Sequence, residues 1–217
     1  MILAYHLIVS AYGFRLPNDP RGSWSDFVRS YELAVFGPAT QANTRQSVAH
    51  HPHDRALVRQ MKNALAHSPV IFTGEQARAI AAGFADYGHR SDLLIHACAI
   101  QPTHTHLVVA HHHLSIERTC EQLKAAATTQ LSRAGSHPFA GEPHKNGRRP
   151  TPWARHGWWV FLDSPDDIER PINYVEQNPI KAGLPAQHCK FVTPYPAEGH
   201  FVPPAKPPEF ATQLPGV

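Results

Sequence analysis

The chain has little of what builds the simplest functional sites. Cysteine is scarce, and Cys98, Cys120 and Cys189 stand far apart with no CxxC pair. That excludes a zinc ribbon or a disulfide framework and fits buried thiols in a reducing compartment. No stretch approaches the run of about eighteen apolar residues that a membrane helix needs. The HExxH spacing of the commonest zinc hydrolases is missing as well, which counts against a hydrolase or metal-storage reading of the histidines. Charge of one sign is not in excess: 20 basic residues against 17 acidic give a net charge of +3, which permits a nucleic-acid partner without requiring one. Met1 to Gly13 has neither a basic leader nor a small-residue cleavage site, so the expectation is mature sequence of a cytoplasmic protein with no membrane partner.

What is present is enough apolar residue, 42% of 217, for one domain with elaborations. There are also 17 histidines, a number that a composition bias can produce, so only their placement counts as evidence. The alternating run from Leu3 to Tyr12 predicts a first strand, closed by Gly13 and a Pro-, Asn- and Gly-rich turn. Ser23 then looks like the cap of a short helix carrying Trp24, Phe27, Tyr31 and Val35, followed by a polar loop from Gln41 to Pro52. Two helices follow. The first spans Asp54 to His67; the second opens on the capping box Thr73-Gly74-Glu75-Gln76. Leu93–Ile100 and His104–Ala110, joined by Gln101-Pro102-Thr103, read as an antiparallel hairpin. Ser115 caps a long helix ending near Gly135, and His137 to Arg155 reads as a basic loop. Trp158 to Leu162 is the fourth strand. Ser164-Pro165-Asp166-Asp167 starts a last helix, expected to stop at Asn178 because Pro179 disfavours helical geometry in the residue before it.

The order β–α–β–β–α–β–α predicts an α+β, ferredoxin-like split βαβ sandwich: an antiparallel sheet with helices on one face, a trailing C-terminal helix, and a helical insertion over about 19–69. The domain is expected to cover residues 1–193. From 194 to 217 seven prolines predict an extended or disordered tail.

Two short segments carry the chemistry. In His104-Thr105-His106 on the third strand the imidazoles project from one face and Thr105 from the other. A metal can be gripped that way, although an HxH pair alone more often faces solvent or packs under a loop. On the last helix Tyr174 and Asn178 lie one turn apart beside the core stripe Ile168, Ile172 and Val175, so Tyr174 borders the surface the helix covers. Alone, it reads as an ordinary boundary aromatic. A weaker signal is the mix of cations and an aromatic formed by Lys145, Arg148, Arg149, Trp153 and Arg155. Such a surface can track phosphates while a base stacks on the indole, and a solvated basic loop is the equal alternative. Lys124 and Arg133 on the preceding helix are weaker still. His6 on the first strand could face the metal from the neighbouring strand, although a satisfied sheet histidine is the favoured reading, and His111 to His113 read as surface residues.

Together, His104-Thr105-His106-Leu107-Val108-Val109 and the later Tyr174-Val175-Glu176-Gln177-Asn178-Pro179-Ile180-Lys181-Ala182-Gly183-Leu184 resemble the REP-associated tyrosine transposases, in the single-strand transposase branch of the HUH nuclease superfamily. The likeness covers roughly Met1 to Pro194. It implies a DNA-nicking endonuclease and strand-transferase acting on single-stranded or hairpin DNA, with His104, His106 and Asn178 as ligands of a divalent Mg2+ or Mn2+. Tyr174 would be the nucleophile that forms a 5′-phosphotyrosine link. Relatives of this chemistry work as monomers or dimers, so a homodimer is compatible with it.

Three departures stand out. Thr105 occupies a position normally bulky and apolar, Pro171 stands one turn before Tyr174 inside the helix, and the segment Asp19 to Pro69 is long. The first two motivate an alternative, a domesticated protein that binds a DNA hairpin or single strand without cutting it.

Overall fold

The computed structural model describes residues 1–23, 25–42, 51–142, 147 and 149–196. Four strands, β1 (Ala4–Ala11), β2 (Ile95–Ile100), β3 (His104–Ala110) and β4 (Trp153–Leu162), form one sheet in the order β2-β3-β1-β4. Every neighbouring pair is antiparallel. This is the expected α+β split βαβ arrangement, with β1 and β3 at the centre.

Among the described residues five helices complete it: α1 (Tyr31–Ala34), α2 (Arg55–Asn63), α3 (Gly74–Ser91), α4 (Ile116–Arg133) and α5 (Pro165–Lys181). The period of two along the strands sorts side chains into two cores. Tyr5, Leu7 and Val9 of β1 join Leu107 and Val109 of β3 against Ile80 and Phe84 of α3 and Leu123, Ala127 and Leu131 of α4. The opposite face packs Ala4, Ala97, Ala99, Val108 and Leu162 against Ile168 and Val175 of α5. Helices therefore cover both faces, and the trailing helix forms a layer of its own over the central strands. The two crossover helices share one face, as expected, and the added C-terminal helix lies over the other.

Side-chain caps set the helix starts. Thr73 and Gln76 complete the capping box of α3, and Ser115 and Ser164 accept from Arg118 N and Asp167 N. The α5 helix runs through Pro171 and Pro179 to Lys181, three residues beyond the expected stop. A proline forfeits one i→i−4 bond. Here Val175 and Pro179 are buried, and the bonds from Ala182 N to Asn178 O and from Leu184 N to Pro179 O close the last turn downstream of the proline. Gly183, at φ +73, ends it in the left-handed region.

Two other expectations are corrected. Ser23 caps no helix: its hydroxyl donates to Pro17 O, and it bridges to Gln41. Ser30 precedes the single short turn α1, in which only Leu33 is buried, while Phe27, Tyr31 and Val35 face outward. The insertion is anchored by a small cluster of Leu16, Leu33 and Met61. Strand β4 begins at Trp153 rather than Trp158, because Trp153 pairs with Ala11 across a register shift and buries its indole in the main core.

The two sheet edges differ. At β2, Gln187 acts as a surrogate strand: its amide accepts from Ile100 N at 2.8 Å and donates to Ile100 O at 2.7 Å, and Thr193 N donates to Ile95 O at 2.8 Å. The chain is thereby tied to the domain as far as Thr193, and of the tail expected over 194–217 the residues from 197 onward lie outside the described residues. The β4 edge has no such partner strand among the described residues.

Thr105 points into the main core, as its alternation demands. It is 0% exposed, and among the described residues its hydroxyl has no hydrogen-bond partner. An orphaned buried hydroxyl costs stability, so Thr105→Val should raise unfolding free energy by about 1 kcal/mol. Urea denaturation measures it, and a loss of stability instead would mean that the hydroxyl has a partner.

Candidate active site

The face of the sheet beneath α5 carries a cluster of rings. His104 and His106, two residues apart on β3, sit with ring centroids 4.8 Å apart and planes at 77°. His6 on β1 stacks on His106 at 5.3 Å, and its Nε2 lies 3.1 Å from His106 Nδ1. The register explains the meeting: Ile8 is opposite His106 and Val108 opposite His6, which makes the two histidines diagonal neighbours on one face. Tyr174, on α5, reaches down from the other layer, edge-on to His106 at 5.5 Å and to His6 at 6.0 Å. Residues 68 or more positions apart in sequence thus converge on one small volume.

Burial keeps these imidazoles neutral. It pushes His6 down to about 4. His106 falls to about 2, mainly through burial and then through the neighbouring His104 and His6. His104 is lowered by burial first and by the charge of Arg15 second. In an unfolded chain such groups titrate near 6.5. Below that pH the unfolded state takes up protons that the folded state refuses, so stability is full above about 6.5 and declines as the solution is acidified. The loss should approach about 1.4 kcal/mol per pH unit for each histidine until its folded pKa is reached. Urea unfolding in EDTA between pH 7.5 and 5 reads this slope. His6→Gln should flatten it by about one proton, and a stability that stays level down to pH 5 would contradict the burial described.

Neutral imidazole is the form that binds a metal. His104 Nδ1 is engaged by Thr103 Oγ1 at 2.9 Å and His106 Nδ1 by His6, which leaves the Nε2 of both rings available. A lone pair on His106 Nε2 requires the proton on Nδ1, donated to His6 Nε2. His6 then orients the ring as an outer-shell partner does at metal centres. Asn178, one turn beyond Tyr174, accepts from Gln101 Nε2 at 2.7 Å, and its own Nδ2 is buried with no partner. Exchanging oxygen and nitrogen in both amides keeps that bond and leaves an orphaned Asn178 oxygen instead, a donor suited to a hard cation. Among the described residues no three His, Cys, Asp or Glu side chains are arranged to hold a metal by themselves. The donor set of two imidazoles and one amide therefore fits an open, weakly held divalent ion that relies on substrate and water for the rest of its shell, and it does not fit a closed structural site.

Tyr174 is 46% exposed at the rim, with Lys181 Nζ 5.9 Å from its ring centroid. Gln101, Lys181 and Arg15 are residues that the sequence does not single out, and for His6 it leaves a metal-facing and a plain sheet role both open. For His6 and Gln101 only strand register and the placement of α5 give the signal. Lys181 lay within the tyrosine motif without a role attached to it.

The weaker DNA-binding candidates divide. Trp153 is corrected: it is 1% exposed, donates its indole N–H to Thr128 Oγ1 at 3.0 Å and packs on Phe72, so no base can stack on it. Lys124 is bent onto the carbonyls of Ala154 and Arg155 at 2.7 and 3.1 Å. Arg149 and Arg155 are exposed. Lys145 and Arg148 lie outside the described residues.

No protein-family model matches the sequence, and no curated protein is significantly similar to it. Among solved structures the chain is similar to a REP-associated tyrosine transposase bound to a REP hairpin, at 12% identity and a TM-score of 0.40, over 83% of this chain and 68% of that one. Among the described residues no helix is long and apolar enough to cross a membrane.

Proposed function

We propose that the protein is a metal-dependent endonuclease and strand-transferase for single-stranded or hairpin DNA, with Tyr174 as the nucleophile. The observation that carries this is the convergence of the Tyr174 ring on His106, 5.5 Å between centroids, from a different layer of the fold. A tyrosine placed only for packing would have no pair of neutral imidazoles edge-on to its ring.

In the proposed reaction the Tyr174 oxygen attacks phosphorus in line with the departing 3′ oxygen. The P–O3′ bond breaks, a 5′-phosphotyrosine ester forms, and the phenolic proton ends on the released 3′-hydroxyl. Phenolate is a better leaving group than alkoxide, so a second 3′-hydroxyl can reverse the step on another strand without ATP. Held by His104, His106 and Asn178, a divalent Mg2+ or Mn2+ would neutralise charge on the non-bridging phosphate oxygens. His6 fixes the orientation and tautomer of His106, Gln101 does the same for Asn178, and Lys181 supplies positive charge on the side of the nucleophile.

The test is to incubate the full chain with a 3′-fluorescein-labelled oligonucleotide and MnCl2 and look for a denaturation-resistant adduct. Peptide mass spectrometry should find the modification on Tyr174. Failure to form an adduct with any divalent ion and any single-stranded or hairpin substrate, while binding remains tight, favours the second reading. That reading, a DNA binder that does not cut, is motivated by the unpartnered Thr105 hydroxyl and by Pro171 within α5.

A further inference from the structure

Along the open edge of β4 the structure contains a groove of about 1330 Å³, walled on one side by residues 153–161 and on the other by the segment from Tyr12 to Leu33. This is larger than the roughly 300–1,000 Å³ of a small-molecule pocket. A ten-residue edge strand left bare invites unwanted pairing, and proteins cover or charge such edges. Here the inserted segment stands off from the edge and leaves a channel.

The chemistry of the channel is that of a polyanion site. Arg15, Arg29, Lys124 and Arg155 line it against only Asp26 and Asp163. Among the described residues Arg15, Arg29 and Arg155 make no ion pair. Arg15 is partly buried, and burial outweighs the nearby charge of Asp19 and lowers its pKa, a cost that an arriving anion would relieve. Aromatic faces alternate with these cations. Phe27 is 50% exposed and carries the Arg29 guanidinium 4.0 Å above its ring, and the half-buried Trp158 lies on the opposite, β4 wall. Cations interleaved with accessible rings track phosphates and stack bases without reading sequence. The groove also leads to the histidines: Trp158 meets His6 edge-on at 6.4 Å.

We propose that this groove binds single-stranded DNA along the open edge of β4, with Arg15, Arg29 and Arg155 on phosphates and Phe27 and Trp158 under bases. That the bound strand is delivered to Tyr174 rests on the nuclease reading; binding itself does not.

Fluorescence anisotropy of 5′-fluorescein-labelled dT20 with the full chain in EDTA isolates binding from chemistry. The double variant R29Q/R155Q should weaken affinity by about tenfold or more at 50 mM salt and reduce the salt slope by about 1.4. F27A, at an exposed ring whose loss threatens no core, should weaken it by about fivefold or more. The control R90Q/R118Q removes the same charge from the outer surfaces of α3 and α4 and should change affinity by less than about twofold. Equal losses in the groove and control variants, or no binding of dT20 by the unaltered chain, overturn the proposal. The adduct assay separates the two readings. Groove variants that lose binding in a protein that never forms an adduct leave the groove standing and sink the nuclease. An adduct at Tyr174 in groove variants that bind dT20 normally does the reverse.

Discussion

Tyr174→Phe should abolish the covalent DNA adduct, a loss of about a thousandfold or more in its rate of formation, while leaving everything else almost untouched. The substitution is clean for a structural reason. The ring makes the edge-on contacts to His6 and His106, and phenylalanine keeps the ring. At the rim the hydroxyl is lost from a residue already 46% exposed, so folding stability should shift by no more than about 0.5 kcal/mol. Affinity for dT20 in EDTA should stay within about twofold, since no phosphate contact in the groove is removed. Adduct assay, urea unfolding and anisotropy on one preparation give the three numbers. A variant that still becomes cross-linked would place the nucleophile elsewhere and end the assignment. One that loses adduct and stability together would make Tyr174 a packing residue.

The separation of those effects reflects how the fold divides labour. The core beneath α3 and α4 uses one set of alternating side chains on β1 and β3, and the histidine cluster uses the other set on the same strands. Leu7, Val9, Leu107 and Val109 hold the strands rigidly, and His6, His104 and His106 inherit that rigidity on the opposite face. A site on central strands is stiffer than one on loops. The third partner, α5, is set over them by Ile168 and Val175, the apolar stripe that leaves Tyr174 and Asn178 at its border.

Much of this was readable before any coordinates. The element order, the HxH face, the α5 stripe and the inward turn of Thr105 follow from periods of 2 and 3.6 in the sequence. What escaped depends on long-range pairing. His6 stays ambiguous between a metal-facing and an ordinary sheet histidine, because nothing local says that its diagonal neighbour is His106; that follows only from the β1–β3 register. Trp153 reads as a basic-loop aromatic because its Pro- and Gly-rich flank hides a strand that begins only once Ala11 is there to pair with it. The segment after Ser23 reads as a capped helix, yet only Leu33, with Val28 and Phe36 beside it, packs on a small core, while Phe27 and Tyr31 turn outward and the chain lines a groove. Helix propensity is overridden where so little of the predicted apolar face is buried.

Gly83 shows the same limit in a form that can be weighed. Glycine inside α3 looks like a flaw, and replacing it with alanine should gain about 1 kcal/mol on helix propensity alone. The structure predicts the opposite sign. A Cβ at position 83 would sit 2.5 Å from Ala127 Cα, 2.6 Å from Ala127 N and 2.7 Å from Ala126 C. All three are backbone atoms of α4, so no rotamer change can relieve the overlap. Carbon atoms in contact need about 3.5 Å or more, and α3 and α4 would have to part by about 1 Å over their whole interface. Ile80, Phe84, Leu123 and Leu131 share that interface, so the separation would open gaps around fully buried side chains. Overpacking of this kind costs about 1–3 kcal/mol beyond the propensity gain it must first cancel. Gly83→Ala should therefore lower unfolding free energy by about 2 kcal/mol or more, read as a shifted urea midpoint with the slope preserved. The loss should appear in stability and leave the adduct chemistry of the folded fraction intact, because the clash lies across the sheet from Tyr174. An alanine variant as stable as the parent would mean that the two helices are not packed backbone to backbone, and the rigid platform inferred for the histidines would lose its support.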